Sequence, residues 1–321
     1  MAENDVRTEQ FTLPSTDGTS TCVGTLWMPQ GAQAHALVQI SHGMCEHIGC
    51  YDRSARDLVA RGYIVYGIDH IGHGRTQPDP ALRGVFDPVS GNDHIIEDQH
   101  AVRLLMAERF PGLPLVLLGH SMGSFVARCY IQRHGEGLAG AIIMGTGWMD
   151  GGTIGALNTV TGLIARLKGW SYRSKLIDGM GAGGYNKAFE GTGAKTGYEW
   201  LSRDEAKAIA YRDDPDCGWM FSVSGYRMLA NLLRECSDPK RIAGVPKDLP
   251  IMVISGSKDP VGADGVGPAK VFRALKDAGV EDCTLEVIAE ARHEVLNETN
   301  RDEVIQILCE WVEEHALSTK E

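Results

Sequence analysis

Gly119-His120-Ser121-Met122-Gly123 sets a hydroxyl between two glycines. The apolar run Leu115–Gly119 leads into it, and a helical pattern over 124–134 follows at once. A serine at such a strand-to-helix corner is held in a strained backbone conformation that lifts its Oγ clear of the sheet edge. The flanking glycines have no Cβ, so neighbouring backbone can approach closely. The helix N-terminus behind the serine aims free N–H groups and the positive dipole end at the same spot. This combination suits nucleophilic attack on a carbonyl, provided a base and an anion-binding pocket accompany it. The plainer reading is a glycine-rich turn with an incidental serine.

The base is expected on a loop after a late strand. Of 11 histidines, His293 in "EARHEVLNE" follows the last strand pattern. His120 adjoins the serine but points away from Oγ, and His315 lies on the closing helix, so both read as structural. The orienting acid is expected after the preceding strand, where Asp259 in "ISGSKDPVG" stands, with Asp264 as its competitor five residues on. Ser, Asp, His is the chain order this kind of scaffold uses. Two backbone donors complete the set: Met122 N–H, next after the serine, and Met44 N–H in "SHGMCEH", where Gly43 lets the chain turn.

Other clusters carry less. Gly179, Gly181 and Gly184 match a dinucleotide-binding spacing, but no strand precedes them. "GTGAKT" (191–196) has Ala194 where a phosphate-binding loop needs glycine. Asp69, His70 and His73 read as a loop stabilised by its aspartate rather than as metal ligands. Cys45 and Cys50 flank His47, but their spacing fits no zinc pattern. No metal or cofactor is expected.

The elements that must position these residues are legible from periodicity. Strand patterns at 34–43, 63–69, 114–119, 138–147, 249–259 and from 283 alternate with helical patterns at 53–62, 93–110, 124–134, 267–279 and 301–317. That alternation predicts an α/β fold, a mostly parallel, doubly wound sheet covered by helices on both faces. The alternation lapses after Trp148, where glycines are dense and helical stretches appear near 202–212 and 218–235. We therefore expect a core of 1–147 and 241–321 and a mainly helical cap insertion, 148–240, at the carboxyl edge of the sheet, where ligands bind in such folds.

The 321 residues carry a formal charge of −11 and no long Lys/Arg run, which argues against nucleic acid as a partner. The first residues show no signal-peptide pattern, and no run approaches the ~18 apolar residues of a membrane span. Eight scattered cysteines without a CxxC read as reduced thiols. A cytoplasmic location is expected.

Taken together these residues resemble the α/β-hydrolase fold, and within it the monoacylglycerol lipase and lysophospholipase-like serine hydrolases. "HGMCEHIGCY" (42–51) is similar to that family's oxyanion-loop block, with Glu46, His47 and Tyr51 in register. "IDHIGHGRT", "GHSMG", "SGSKDPVG" and "RHEVLNE" are similar to its later blocks, and 185–219 to the cap of its bacterial members. The resemblance implies the triad Ser121, Asp259 and His293. Cys50 departs from the arginine often found before the block's final tyrosine.

The expectation is a serine ester hydrolase of single-chain lipid esters, with a small-molecule acyl ester as partner. Rivals are a soluble carboxylesterase, amidase or thioesterase with the same triad, and a non-catalytic ligand-binding protein on this scaffold. The stretch 151–176 holds Arg166, Lys168, Arg173 and Lys175 without an acidic residue. Ile154, Leu157, Val160, Ile164 and Leu167 recur there at helical spacing, followed by Trp170 and Tyr172. That composition suits peripheral membrane contact; the alternative is that the stripe packs on the core.

Overall fold

The computed structural model describes residues 6–31, 34–193 and 195–317. Ala194 of the rejected phosphate-loop match lies outside them. Eight strands form one sheet in the order β1-β2-β4-β3-β5-β6-β7-β8. They are β1 (Val6–Pro14), β2 (Thr21–Pro29), β3 (Ala36–Ser41), β4 (Tyr63–Ile68), β5 (Leu115–His120), β6 (Gly140–Met144), β7 (Ile251–Gly256) and β8 (Cys283–Ile288). β2 runs antiparallel to both β1 and β4, and the pairings from β4 to β8 are parallel.

β3, β4, β5, β6 and β7 are buried along their whole length. This explains their unbroken apolar runs, since strands covered on both faces do not alternate in polarity. Their side chains still alternate in direction. Leu37, Tyr66, Leu117, Ile143 and Val253 enter one core, and Val38, Val65, Leu118, Met144 and Ile254 the other.

The helices are α1 (Asp52–Val59), α2 (Gly91–Arg109), α3 (Met122–His134), α4 (Gly151–Lys168), α5 (Lys175–Gly179), α6 (Glu205–Asp213), α7 (Val223–Cys236), α8 (Pro239–Ile242), α9 (Val266–Asp277) and α10 (Arg301–Trp311). α2, α3, α7 and α9 cover the first core, and α1 and α10 the second. A π turn over Val312–Ala316 continues α10, so the closing pattern 301–317 is not one uniform helix. The β1–β2 hairpin was not foreseen. Its turn is built on Asp17, whose carboxylate accepts from Thr19 and Ser20 N–H, and on Gly18 at φ 74°.

Between β6 and β7 the chain makes α4 to α8. Asp150 caps α4 by accepting from Thr153 N–H at 3.0 Å, and Gly169 at φ 88° ends it. α7 packs along α3 and α2, which places it in the helical layer of the core, and α4 rests on α7. Residues 198–213 of this stretch lie against the loops after β3 and β8: Trp200 O and Leu201 O accept from His293 and Glu294 N–H, and Tyr211 Oη donates to Cys45 O. Among the described residues no helix is long and apolar enough to cross a membrane.

Candidate active site

Ser121 lies between β5 and α3 at φ 56°, ψ −122°. Its N–H donates to Met144 O at 3.0 Å, which ties the corner to the end of β6. The glycines around it are sterically required. A Cβ on Gly119 would stand 2.3 Å from Gly123 O, and one on Gly123 would stand 2.0 Å from Ser41 O. Helix α3 is thereby drawn against the end of β3, and the loop after β3 is brought beside the serine. A Cβ on Gly43 would lie 3.0 Å from Ser121 Cβ.

His293, on the loop after β8, is buried with its Nδ1 2.9 Å from Asp259 Oδ1. The same Oδ1 accepts from Val261 N–H at 2.9 Å, while Oδ2 accepts from the Ser255 hydroxyl at 3.1 Å. Burial pushes the Asp259 carboxyl upward, but the His293 charge and hydrogen bond, with those from Val261 and Ser255, outweigh it and hold its pKa below the usual value. Asp264 is exposed, so the structure pairs His293 with Asp259 and not with its competitor. With Nδ1 bound to the carboxylate, Nε2 is the nitrogen left to face a reacting group. The ring sits over Gly145, whose Cβ position would lie 3.1 Å from His293 Cε1. Gly145 follows Met144, which holds the Ser121 backbone, so serine and histidine flank the end of β6.

His120 turns away from the serine, as its place in the strand required. It enters a buried network with the loop after β3. Tyr51 Oη donates to Glu46 Oε1 at 2.7 Å and stands 2.8 Å from His120 Nδ1. Glu46 also accepts from Gly43 N–H. Burial pulls the His120 pKa down, but the Glu46 carboxylate reverses this and raises it. Because Glu46 occupies the Gly43 N–H, the next N–H along the loop is that of Met44. Met122, the first residue of α3, presents its own N–H at the helix start. Cys45 follows Met44 at φ 57°, a left-handed conformation that sequence reading did not signal.

Asp69 behaves as the loop staple its sequence suggested. It accepts from Ile48 N–H at 2.8 Å, Arg75 N–H at 3.0 Å and Arg75 Nε at 2.8 Å. Burial, with the neighbouring His70 and His73, pushes the His42 imidazole far down. His42 Nε2 accepts from His70 N–H at 2.9 Å, so this histidine group serves the backbone.

Sequence reading missed the residues between β6 and β7 that touch the site. Trp200 lies 5.0 Å from His293 between ring centroids, and Tyr185 packs on Trp200 at 5.1 Å. Trp200 O and Leu201 O accept from His293 and Glu294 N–H at 3.3 and 2.7 Å. Arg292 reaches Glu199 O and Ser202 O at 2.6 and 3.1 Å. The only sequence signal was the aromatic content of "YEWL".

The expected apolar stripe on α4 needs correction. Ile154 is buried, and Leu157, Val160 and Ile164 pack against the core, because this face of the helix lies on α7. The exposed apolar side chains are Leu163 (60%) and Leu167 (80%), with Leu176 and Met180 beyond. Arg173 faces inward and donates to the Met220 and Arg83 carbonyls, so it is not a free surface cation.

The sheet order and a strained serine at the end of its central strand define an α/β-hydrolase. Residues 32–300 match the Hydrolase_4 family, described as serine aminopeptidase, S33, and the chain belongs to that family. It is 27% identical over 297 residues to a monoacylglycerol lipase of Mycolicibacterium smegmatis, covering 90% of this chain and 92% of that one. It is 38% identical to human monoglyceride lipase over 103 residues, 32% of this chain and 31% of the human one. A thermostable carboxyl esterase from Bacillus coagulans, solved with glycerol, superposes with a TM-score of 0.86 at 27% identity, over 96% of this chain and 99% of that one. The protein is a hydrolase of this class.

Proposed function

We propose that the protein is a serine carboxylic ester hydrolase of single-chain lipid esters, monoacylglycerols or lysophospholipids, acting through an acyl-enzyme. The observation that carries this reading is the buried Asp259–His293 pair beside a serine strained to φ 56°. Ser121 Oγ attacks the acyl carbonyl and His293 Nε2 takes its proton. Asp259 fixes the Nδ1–H tautomer and stabilises the imidazolium. The Met44 and Met122 N–H groups receive the oxyanion. His293 returns the proton to the leaving glycerol oxygen, then activates the water that frees the fatty acid.

Residues 148–240 act as the cap, anchored to the core by α7. Its exposed Leu163, Leu167, Leu176 and Met180 form the surface that meets lipid. The likeness to the monoacylglycerol lipase over nine-tenths of the chain supports the substrate class. The likeness to a carboxyl esterase favours one second reading, a hydrolase of short soluble esters.

A fluorophosphonate should label one residue, Ser121, and Ser121→Ala should abolish both labelling and turnover. Labelling that persists in the variant removes the serine from its role. A series of monoacylglycerols against short acyl esters separates the two substrate readings: preference for the short esters favours the second.

A further inference from the structure

His47 and Cys50, on the loop after β3, face Asp214 and Cys217, which follow α6 in the cap. One donor atom from each lies within 4.8 Å of all the others, the one such cluster found among the described residues. His47 Nε2 is 3.1 Å from Asp214 Oδ2, and the Cys50 and Cys217 sulfurs are 3.5 Å apart. A tetrahedral zinc ion, with Zn–S bonds of about 2.3 Å and Zn–N or Zn–O bonds of about 2.0–2.1 Å, holds two sulfurs roughly 3.8 Å apart and a nitrogen–oxygen pair roughly 3.3 Å apart. Both opposite edges are therefore within a few tenths of an ångström of that geometry before any ion enters.

The sequence spacing agrees. His47-x-x-Cys50 and Asp214-x-x-Cys217 each put two residues between ligands, as structural zinc half-sites do. Neither half is a zinc pattern alone, and they lie more than 160 residues apart, so only the fold pairs them. Cys45, which the sequence set beside His47, stays outside the cluster. Its carbonyl instead accepts from Gly218 N–H and Tyr211 Oη, both at 2.9 Å.

We propose that His47, Cys50, Asp214 and Cys217 bind one zinc ion, which clasps the cap to the loop that carries Met44. Two thiolates, one carboxylate and a neutral imidazole around a dication leave a net charge of −1. The nearby cation is Lys207, whose ammonium stands 3.5 Å from Glu294 Oε2. Binding needs both sulfurs as thiolates and the imidazole neutral, so it releases protons to solvent and strengthens as pH rises. His47 would bind through Nε2 and keep its proton on Nδ1, giving up the long 3.2 Å contact from Gly49 N–H. No oxidation or reduction occurs. A disulfide between Cys50 and Cys217 would use two of the four groups and leave the converging histidine and aspartate without a part. The site is independent of the ester chemistry, which it does not enter.

The test uses the full chain, purified under reducing conditions, stripped of metal, and titrated with Co²⁺ and then Zn²⁺. One ion should bind per chain. Cobalt should show thiolate charge-transfer absorption and the strong visible bands of a tetrahedral centre, and zinc should erase both. Cys50→Ser and Cys217→Ser should each lose stoichiometric zinc, while Cys309→Ser keeps it. The wild-type cobalt spectrum decides even if a variant fails to fold. Absence of the charge-transfer band overturns the proposal, as does metal binding untouched by both cysteine variants. Peptide mapping that finds Cys50 and Cys217 joined in the untreated protein also overturns it.

Discussion

Asp259→Asn gives the sharpest test of the proposed triad, because the structure fixes which way the new amide must face. Two N–H donors converge on Oδ1, from His293 and Val261, each at 2.9 Å. The Asn oxygen takes that side. Its NH₂ then faces Ser255, whose hydroxyl rotates from donor to acceptor. His293 thus keeps its proton on Nδ1, and the loss is confined to the negative charge that stabilises the imidazolium. At a charge separation of about 4 Å and an effective dielectric of about 20, that is about 4 kcal/mol. It is realised only when the imidazole is protonated, so kcat should fall about 10³-fold with KM little changed. In a serine-protease triad the same swap leaves the wrong tautomer and removes about 10⁴. The smaller loss expected here comes from the Val261 N–H. Steady-state turnover of a p-nitrophenyl ester measures it, with Asp264→Asn as the exposed control. A loss of less than about tenfold in Asp259→Asn, or a larger loss in Asp264→Asn, refutes the assignment.

The same carboxylate has a pH signature. Its pKa is lowered by folding, so its stabilisation is complete above the unfolded value of about 3.9 and is lost as pH falls through the folded value. The melting-temperature gap between wild type and Asp259→Asn should therefore hold steady from pH 7 to about 4 and narrow only below that; narrowing that is already complete at about pH 5 contradicts this. Leu163→Ser combined with Leu167→Ser should abolish any rise in activity when a monoacylglycerol passes its critical micelle concentration, while sparing a short soluble ester. Both side chains already face solvent, so stability should change by less than about 0.5 kcal/mol each. Equal loss on both substrates would place the two leucines in the fold instead of at a lipid surface. Hydrogen exchange should be fastest over 175–193, which is short-helical and mostly exposed, and slow at 293–294, whose N–H groups donate to the Trp200 and Leu201 carbonyls. Equal rates in the two segments would count against that division.

What the sequence made legible follows from how local each signal is. Ser121 is declared within five residues, because a strand, two glycines and a helix meet there. Asp259 and His293 are declared by following β7 and β8. The central strands are continuous apolar runs and leave little ambiguity. The β1–β2 hairpin has only the Asp17-Gly18 turn to announce it, and β1, at the sheet edge, is half exposed with weak contrast. The α4 stripe had the right period, and four of its five residues, Ile154, Leu157, Val160 and Ile164, meet the core as the packing alternative required; Leu167, at the helix end, is exposed instead. Thr161 and Ala165 complete the buried face and are too small or polar for hydropathy to mark. The contacts of Trp200, Asp214 and Cys217 were not legible, since their partners lie about 90 to 170 residues away and no local pattern encodes the meeting.

Those distant meetings share a direction. The cap touches the core at the two loops that the proposed chemistry depends on most. Trp200, Leu201, Glu199 and Ser202 hold the backbone and arginine beside His293. Tyr211 and Gly218 hold the carbonyl of Cys45, one residue after Met44. Asp214 and Cys217 face the same loop at His47 and Cys50. The proposed cap, bound in this way, would not lift as one body without disturbing the proposed base and the proposed Met44 donor together.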